Sequence, residues 1–253
     1  MTRSVLVTGG ARRIGRSIAV DLARHGWRVA VHHHLSAEDA EAVVAEIEAI
    51  GGVAAVVPAD LAREDQTAGL VDRAAAAVGP LSALINNASV FERDGAMDAT
   101  RASWELHMEV NLRAPFVLTQ GFVRQLPEGQ AGNVVNILDQ RVWNLTPFFT
   151  SYTLSKAGLW TLTQTLALAL APRIRVNAIG PGPTLPSQRQ TPESFRRQWS
   201  ALPLAGQVQP EEVAAAVRFI LDAPSVTGQM IAVDAGQHLC WSPARSGAGE
   251  ADE

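Results

Sequence analysis

Tyr152 and Lys156 are the only tyrosine and the only lysine in this chain of 253 residues. Lys and Arg together number 21, so every other long-chain cation is arginine. A composition this biased keeps lysine at one place, where a compact ammonium can sit under a hydroxyl as a bulky planar guanidinium cannot. On a helix, residues four apart lie one turn apart on the same face. A cation about 4 Å from a developing phenolate stabilises it by on the order of 4 kcal/mol at an effective dielectric near 20, an upper-range figure. The pair is therefore expected to donate a proton near neutral pH. Thirteen residues before the tyrosine, Asp139 adds a carboxyl that can hold and pass a proton.

Such groups need a frame. Apolar runs of strand length alternate with longer helical patterns through most of the chain, the pattern of βαβ units around a parallel sheet. Strands are expected near 4–8, 28–32, 53–58, 83–86, 133–137, 175–179 and 231–233, and helices near 14–25, 37–50, 66–78, 101–125, 151–171 and 211–221. Gly26, Gly51-Gly52 and Gly79-Pro80 punctuate the helix ends. The expected fold is α/β, a single Rossmann-like doubly wound domain over 1–241, its seven-stranded parallel sheet covered by helices on both faces. The Pro-, Gly- and Ser-rich stretch 180–209 is too long for an ordinary connection and is expected to be a lid over a ligand cleft, with a short helical patch near 193–199. The small, polar tail 242–253 is expected to be disordered.

Bulk properties exclude several classes of function. A formal charge of -4 and the absence of any basic run or basic helix face argue against nucleic-acid or membrane partners. One cysteine, Cys240, leaves no intramolecular disulfide framework. Met1-Thr2-Arg3 runs straight into an apolar strand pattern without the layout of a signal peptide, and no apolar run reaches the length of a membrane span, so a soluble cytoplasmic protein is expected.

The run Thr8-Gly9-Gly10-Ala11-Arg12-Arg13-Ile14-Gly15 follows the first strand and opens the first helix, as a dinucleotide-binding turn requires. Glycine there lets backbone N–H groups approach a pyrophosphate, which the helix N-terminus also attracts. The second strand ends in His32, His33 and His34, followed by Leu35 and Ser36, and no carboxylate occurs until Glu38. An acid at that strand end would bind an unphosphorylated ribose and repel a 2′-phosphate, so its absence, with Arg12 nearby, favours NADPH over NADH. A metal site is disfavoured, because alternation puts only His32 and His34 on one face and no further ligand is evident.

Taken together, the glycine loop, Asp60-Leu61, Asn86-Asn87-Ala88-Ser89, Asn111, Tyr152 with Lys156, and Gly180-Pro181-Gly182 resemble the short-chain dehydrogenase/reductase family over nearly the whole chain. The resemblance implies an NADP cofactor contacted by Gly9, Arg12, Arg13, Ile14, His32, His33, His34, Ser36, Asp60, Leu61, Asn87, Ala88, Ser89, Tyr152, Lys156, Pro181, Gly182 and Thr184. It implies that Asp60 holds the adenine, that Asn87 and Ala88 line the adenosine-ribose side, and that Lys156 grips the nicotinamide ribose. It also implies that Asn111 holds a water linking Lys156 to solvent, and that the chain forms a homotetramer through the helices near 101–125 and 151–171 and the final strand.

Three departures from the common pattern resemble the pteridine reductases within that family. Arg13 stands at the usual second glycine, Asp139 where a serine normally holds a carbonyl oxygen, and Phe91 after the Asn-Asn-Ala motif. That likeness implies a pterin bound by Arg13, Ser89, Phe91, Asp139 and Tyr152, with a catalytic set of Asp139, Tyr152, Lys156 and Asn111. Leu35 departs the other way, standing where a basic residue often sits, and leaves the 2′-phosphate to Arg12, His33, His34 and Ser36. Reducing a ketone builds negative charge on oxygen, which an ionised carboxylate opposes. Reducing a C=N bond calls for a proton on a basic ring nitrogen, which a carboxyl beside a phenol can supply. The expected activity is NADPH-dependent reduction of a dihydropterin or dihydrofolate C=N bond. The competing readings are a carbonyl reductase of the 3-oxoacyl or small-ketone type, with which Asp139 is discordant, and a non-catalytic NADP-binding redox sensor. A sensor has no need of Tyr152 and Lys156.

Overall fold

A computed structural model of the chain describes residues 3–187 and 189–240. Its strands are β1 (Arg3–Val7), β2 (Trp27–His33), β3 (Val53–Pro58), β4 (Ala83–Asn86), β5 (Gly132–Ile137), β6 (Ile174–Pro181) and β7 (Met230–Val233). They form one parallel sheet in the order β3-β2-β1-β4-β5-β6-β7, with Val5 opposite both Val29 and Ala83. A sheet covered on both faces needs apolar residues at consecutive positions, and β1 supplies them in Val5-Leu6-Val7. Alternation sends Val5 and Val7 to one face, among Ile18 and Leu22 of α1 (Arg13–Arg24), Val43 and Ile47 of α2 (Ala37–Ala49), and Val217 of α9 (Pro210–Asp222). Leu6 goes to the other face, among Leu70 and Val71 of α4 (Leu70–Val78) and Leu118 and Phe122 of α6 (Ala114–Gln125). Each such side chain contributes roughly 1.5–3 kcal/mol on burial. The expected doubly wound, seven-stranded single domain is what the chain adopts.

From β1 the chain winds outward through β2 and β3, then crosses back to β4 on the other side of β1. At that reversal the loops leaving β1 and β4 part, and a crevice opens beyond the carboxyl ends of the strands. The glycine turn forms one lip and the segment after Asn86 the other.

Two helices differ from the sequence reading. The helix expected at 66–78 breaks at Gly69 into α3 (Glu64–Ala68) and α4. The one expected at 101–125 comprises α5 (Arg101–Met108), a wide π-helical turn over Glu109–Arg113, and α6. Pro115, in the first turn of α6, has no N–H to continue the regular ladder, and the turn before it widens. Asn111 sits in that widened turn. The helix carrying Tyr152 and Lys156 is α7 (Thr150–Leu170), and the expected lid contains α8 (Pro192–Ser200), capped by Thr191. The tail 242–253 lies outside the described residues. No helix among the described residues is long and apolar enough to cross a membrane.

Candidate active site

The phosphate lip is tied down before any ligand arrives. Gly9 adopts φ +61°, a left-handed conformation suited to glycine. A Cβ on Gly15 would stand 2.1 Å from the Gly9 carbonyl oxygen, so α1 can pack on this turn only with glycine at that point. Thr8 Oγ1 accepts the N–H groups of Asn87 (2.9 Å) and Ala88 (3.0 Å), joining the turn to the end of β4. His32 is buried at the end of β2. Its Nδ1 accepts the Gly9 N–H at 2.9 Å, so Nε2 carries the proton and donates to the Ala59 carbonyl at 3.1 Å. Burial is the main reason its pKa falls to about 4, with His33, His34 and Arg73 adding repulsion.

Arg13 occupies its glycine-like position in earnest, at φ +54°. A non-glycine residue there costs on the order of 1–3 kcal/mol. Its guanidinium reaches across the crevice and donates to the carbonyls of Leu185 and Pro186, both at 3.0 Å. Arg12 pairs with Asp39 of α2 at the solvent edge.

On the opposite side the phenol and the carboxyl meet. Tyr152 Oη donates to Asp139 Oδ2 at 2.9 Å, while Asp139 Oδ1 accepts the Arg141 N–H at 2.8 Å. One oxygen caps the short turn Gln140–Val142 and the other holds the phenol, so local capping and site chemistry coexist in one side chain. Lys156 Nζ donates to the Ile137 carbonyl at 2.8 Å and lies 5.9 Å from the centre of the Tyr152 ring. Burial draws the Lys156 ammonium down to about 8, against the pull of Asp139. Burial, then the charge and hydrogen bond of Asp139, raise Tyr152 well above its ordinary value, with Arg141 opposing, so the lowering expected from Lys156 is not what prevails. Burial and a neighbouring carboxylate set the phenol's acidity, while the ammonium is engaged by a backbone carbonyl.

Phe91 stacks on Phe149 with centroids 4.3 Å apart and meets Tyr152 edge-on at 4.6 Å. The guanidiniums of Arg141 and Arg189 lie between 5.2 and 5.9 Å from these two phenylalanine rings. One face of Phe91 is therefore packed against protein, although the residue still lines the crevice.

The crevice holds about 690 Å³, within the range of small-molecule sites. Gly9, Arg12, Arg13, Ile14, His32, His34, Asp60, Leu61, Asn87, Ala88, Ser89, Phe91, Asp139, Tyr152, Lys156, Pro181, Gly182 and Thr184 all line it. Three residues expected at the site do not. His33 is buried beside the end of β2, because alternation turns it away from the face shared by His32 and His34. Ser36 lies at the start of α2, beyond the crevice. Asn111 is fully buried behind the wall, where Oδ1 accepts from Val90 N–H and Ser89 Oγ while Nδ2 donates to the Val90 carbonyl and Ser155 Oγ. Its side chain bridges the Phe91 segment to α7, and no side-chain donor or acceptor is left over for a water near Lys156. The crevice also takes in Gln140, Arg141, Gln190, Gln198 and Gln237, which sequence reasoning missed. Only Gln140 and Arg141, adjacent to Asp139, carried a signal that could have found them.

A family model described as enoyl-(acyl carrier protein) reductase matches residues 9–238. The 3-oxoacyl-[acyl-carrier-protein] reductase FabG of Staphylococcus aureus is 33% identical over 244 residues, spanning 94% of this chain and 99% of that one. Two solved structures, both of FolM alternative dihydrofolate reductase 1 with NADP, superpose with a TM-score of 0.92. The Brucella canis protein is 51% identical, covering 98% of this chain and 97% of that one, and the Brucella suis protein is 53% identical, covering 95% and 96%.

Proposed function

The chain belongs to the short-chain dehydrogenase/reductase family and is an NADP(H)-dependent oxidoreductase; we propose that its substrate is a pterin-like ring, a dihydropterin or dihydrofolate, reduced at a C=N bond. The observation that carries this reading is the 2.9 Å hydrogen bond from Tyr152 to Asp139. The solved FolM proteins, with about half of their residues shared, support it.

The crevice residues fit the cofactor: Gly9, Ile14 and the start of α1 offer a turn for the pyrophosphate, no carboxylate terminates β2, and Arg12 and His34 flank the place of a 2′-phosphate. Asp60 and Asn87 stand on the adenosine side, and Lys156 on the nicotinamide-ribose side. When bound, NADPH supplies a hydride to the substrate carbon.

The proton chemistry falls to the Tyr152–Asp139 pair. Burial disfavours a phenolate, and one formed beside the Asp139 carboxylate would set two like charges in hydrogen-bond contact, so the phenol stays protonated in the resting site. A ketone oxygen, too weak a base to take a proton before hydride arrives, gains little from such a pair. A C=N nitrogen is basic. As Tyr152 passes its proton to the nitrogen, the Asp139 carboxylate stabilises the cationic ring that accepts the hydride, and solvent returns a proton to Tyr152. The carbon gains the hydride and the nitrogen gains the proton, leaving an amine.

Kinship with FabG favours a second reading, a 3-oxoacyl carbonyl reductase. Following NADPH absorbance with a dihydropterin, dihydrofolate and a 3-oxoacyl thioester separates the two. Turnover of a pterin or folate well above the thioester is the expected result, and thioester reduction alone would reject the pterin assignment.

We propose a cytoplasmic homotetramer. An apolar groove between the π-helical turn and α7, lined by Met108, Leu112, Phe116 and Leu162, supports pairing of α7 with a second copy. Sedimentation of a monomer at micromolar concentration would reject this.

A further inference from the structure

Tyr152 lies in the first turn of α7, yet nothing in the local sequence caps that helix. Phe149, at its N-cap, has φ +58° and offers no side-chain hydrogen bond. The cap comes from fifty-seven residues away: Asp94 Oδ1 accepts the Ser151 N–H at 3.1 Å, Oδ2 accepts the Ser151 hydroxyl, and the Asp94 carbonyl accepts the Phe149 N–H at 2.8 Å. Ser103 Oγ adds a 3.1 Å bond to Oδ2. Burial opposes charge on Asp94, but the bonds from Ser151 and Ser103 hold its carboxyl below the ordinary value.

His107, at the end of α5 and fully buried, closes the circuit. Its Nε2 lies 3.0 Å from the Glu92 backbone nitrogen, whose N–H can only donate, so Nε2 accepts and a neutral ring carries its proton on Nδ1. Nδ1 then donates to Ser151 Oγ at 2.7 Å. Every hydrogen bond in the chain Glu92 N–H, His107, Ser151, Asp94 runs in one direction and ends on a carboxylate. The circuit fastens Glu92, and with it the neighbouring Phe91, to the turn of α7 that presents Tyr152. Phe91 and Tyr152 touch edge-on, and His107 lies 6.0 Å from the Tyr152 ring.

We infer that Asp94, acting through Ser151 and His107, is a positioning residue that sets Tyr152 against Asp139 and Phe91. Asp94→Asn tests it, because no amide orientation satisfies the circuit. With its nitrogen toward Ser151 Oγ, it donates where it must accept. The serine hydroxyl then turns to His107, the histidine proton moves to Nε2, and Nε2–H meets the Glu92 N–H head-on. With the amide reversed, its nitrogen faces the Ser151 N–H. Either way one buried bond is lost.

Tyr152 is the only tyrosine, so protein labelled with ¹³Cζ-tyrosine gives one resonance that reads its hydroxyl directly. The expected results for Asp94→Asn are a shifted Tyr152 resonance titrating closer to a free phenol, and a kcat for dihydropterin reduction lowered roughly 10- to 100-fold. NADPH affinity should stay within about twofold, since the circuit lies outside the glycine lip. Ser151→Ala keeps the backbone cap and removes only the relay, so it gives a smaller change in the same direction and serves if Asp94→Asn does not fold. A Tyr152 resonance and titration matching wild type in the folded variants overturns the assignment, even if thermal stability falls. Only the kinetic readout rests on the pterin reading. A chain that reduces no pterin would fail that reading, while the resonance would still decide this one.

Discussion

Asp139→Ser is expected to lower NADPH-dependent dihydropterin reduction by about 10²- to 10⁴-fold, the range for removal of a positioned proton-transfer group, while NADPH affinity stays near wild type. Serine can still accept a hydrogen bond from Tyr152, but it carries no charge to favour a protonated ring. The same change frees the phenol. With the carboxylate gone, a phenolate no longer faces a like charge at 2.9 Å, so the pKa of Tyr152 moves down and the site becomes friendlier to an alkoxide. Turnover of a 3-oxoacyl thioester or simple ketone should hold or rise. Steady-state rates on both substrates, with cofactor affinity from fluorescence titration, check the prediction. Equal losses on both, or none on the pterin, would remove Asp139 from the mechanism.

A second large effect concerns acid. His32 has a folded pKa of about 4, against an ordinary value near 6.5. The folded state binds its proton less readily than the unfolded chain, so its contribution to stability is fully present above pH 6.5. It drains away as pH falls through about 4. Integrated over that window, the loss is roughly 3 kcal/mol, a large part of the margin of an ordinary domain. The site of damage is specific. Protonated Nδ1 cannot accept the Gly9 N–H, so the phosphate turn loosens first. His32→Gln offers an amide oxygen to Gly9 and an amide N–H to Ala59 without a titrating group. Urea unfolding across pH 4 to 7 should show wild type losing stability on acidification and the glutamine variant doing so with a slope flatter by most of that amount. Parallel curves would mean that other groups govern the acid limb.

The sheet was legible because both its faces are covered, so β1, β2 and β4 carry the unbroken apolar runs Val5-Leu6-Val7, Val29-Ala30-Val31 and Ala83-Leu84-Ile85 between glycine-punctuated helices. The meeting of Tyr152 and Asp139 was legible because the two residues flank a single strand-to-helix connection. What escaped notice depends on contacts between distant segments. Nothing around Glu109 announces a π-helical turn except Pro115, and a proline in a first helical turn usually causes no such thing. The raised pKa of the phenol, set first by burial and then by Asp139, was not legible from the spacing of Tyr152 and Lys156. Four-residue spacing brings Lys156 near Tyr152 but cannot reveal that its ammonium is engaged by the Ile137 carbonyl. His33 was assigned to the nucleotide although the alternation used to dismiss a metal already turned it away. Asp94 lies in a stretch with no motif, and only the folded chain brings it to Ser151.

Arg13 ties the turn that receives the nucleotide to the flap above the catalytic pair through two carbonyls, Leu185 and Pro186. A single cation thus spans the mouth of the crevice, within reach of the turn on one side and of the 180–209 segment on the other.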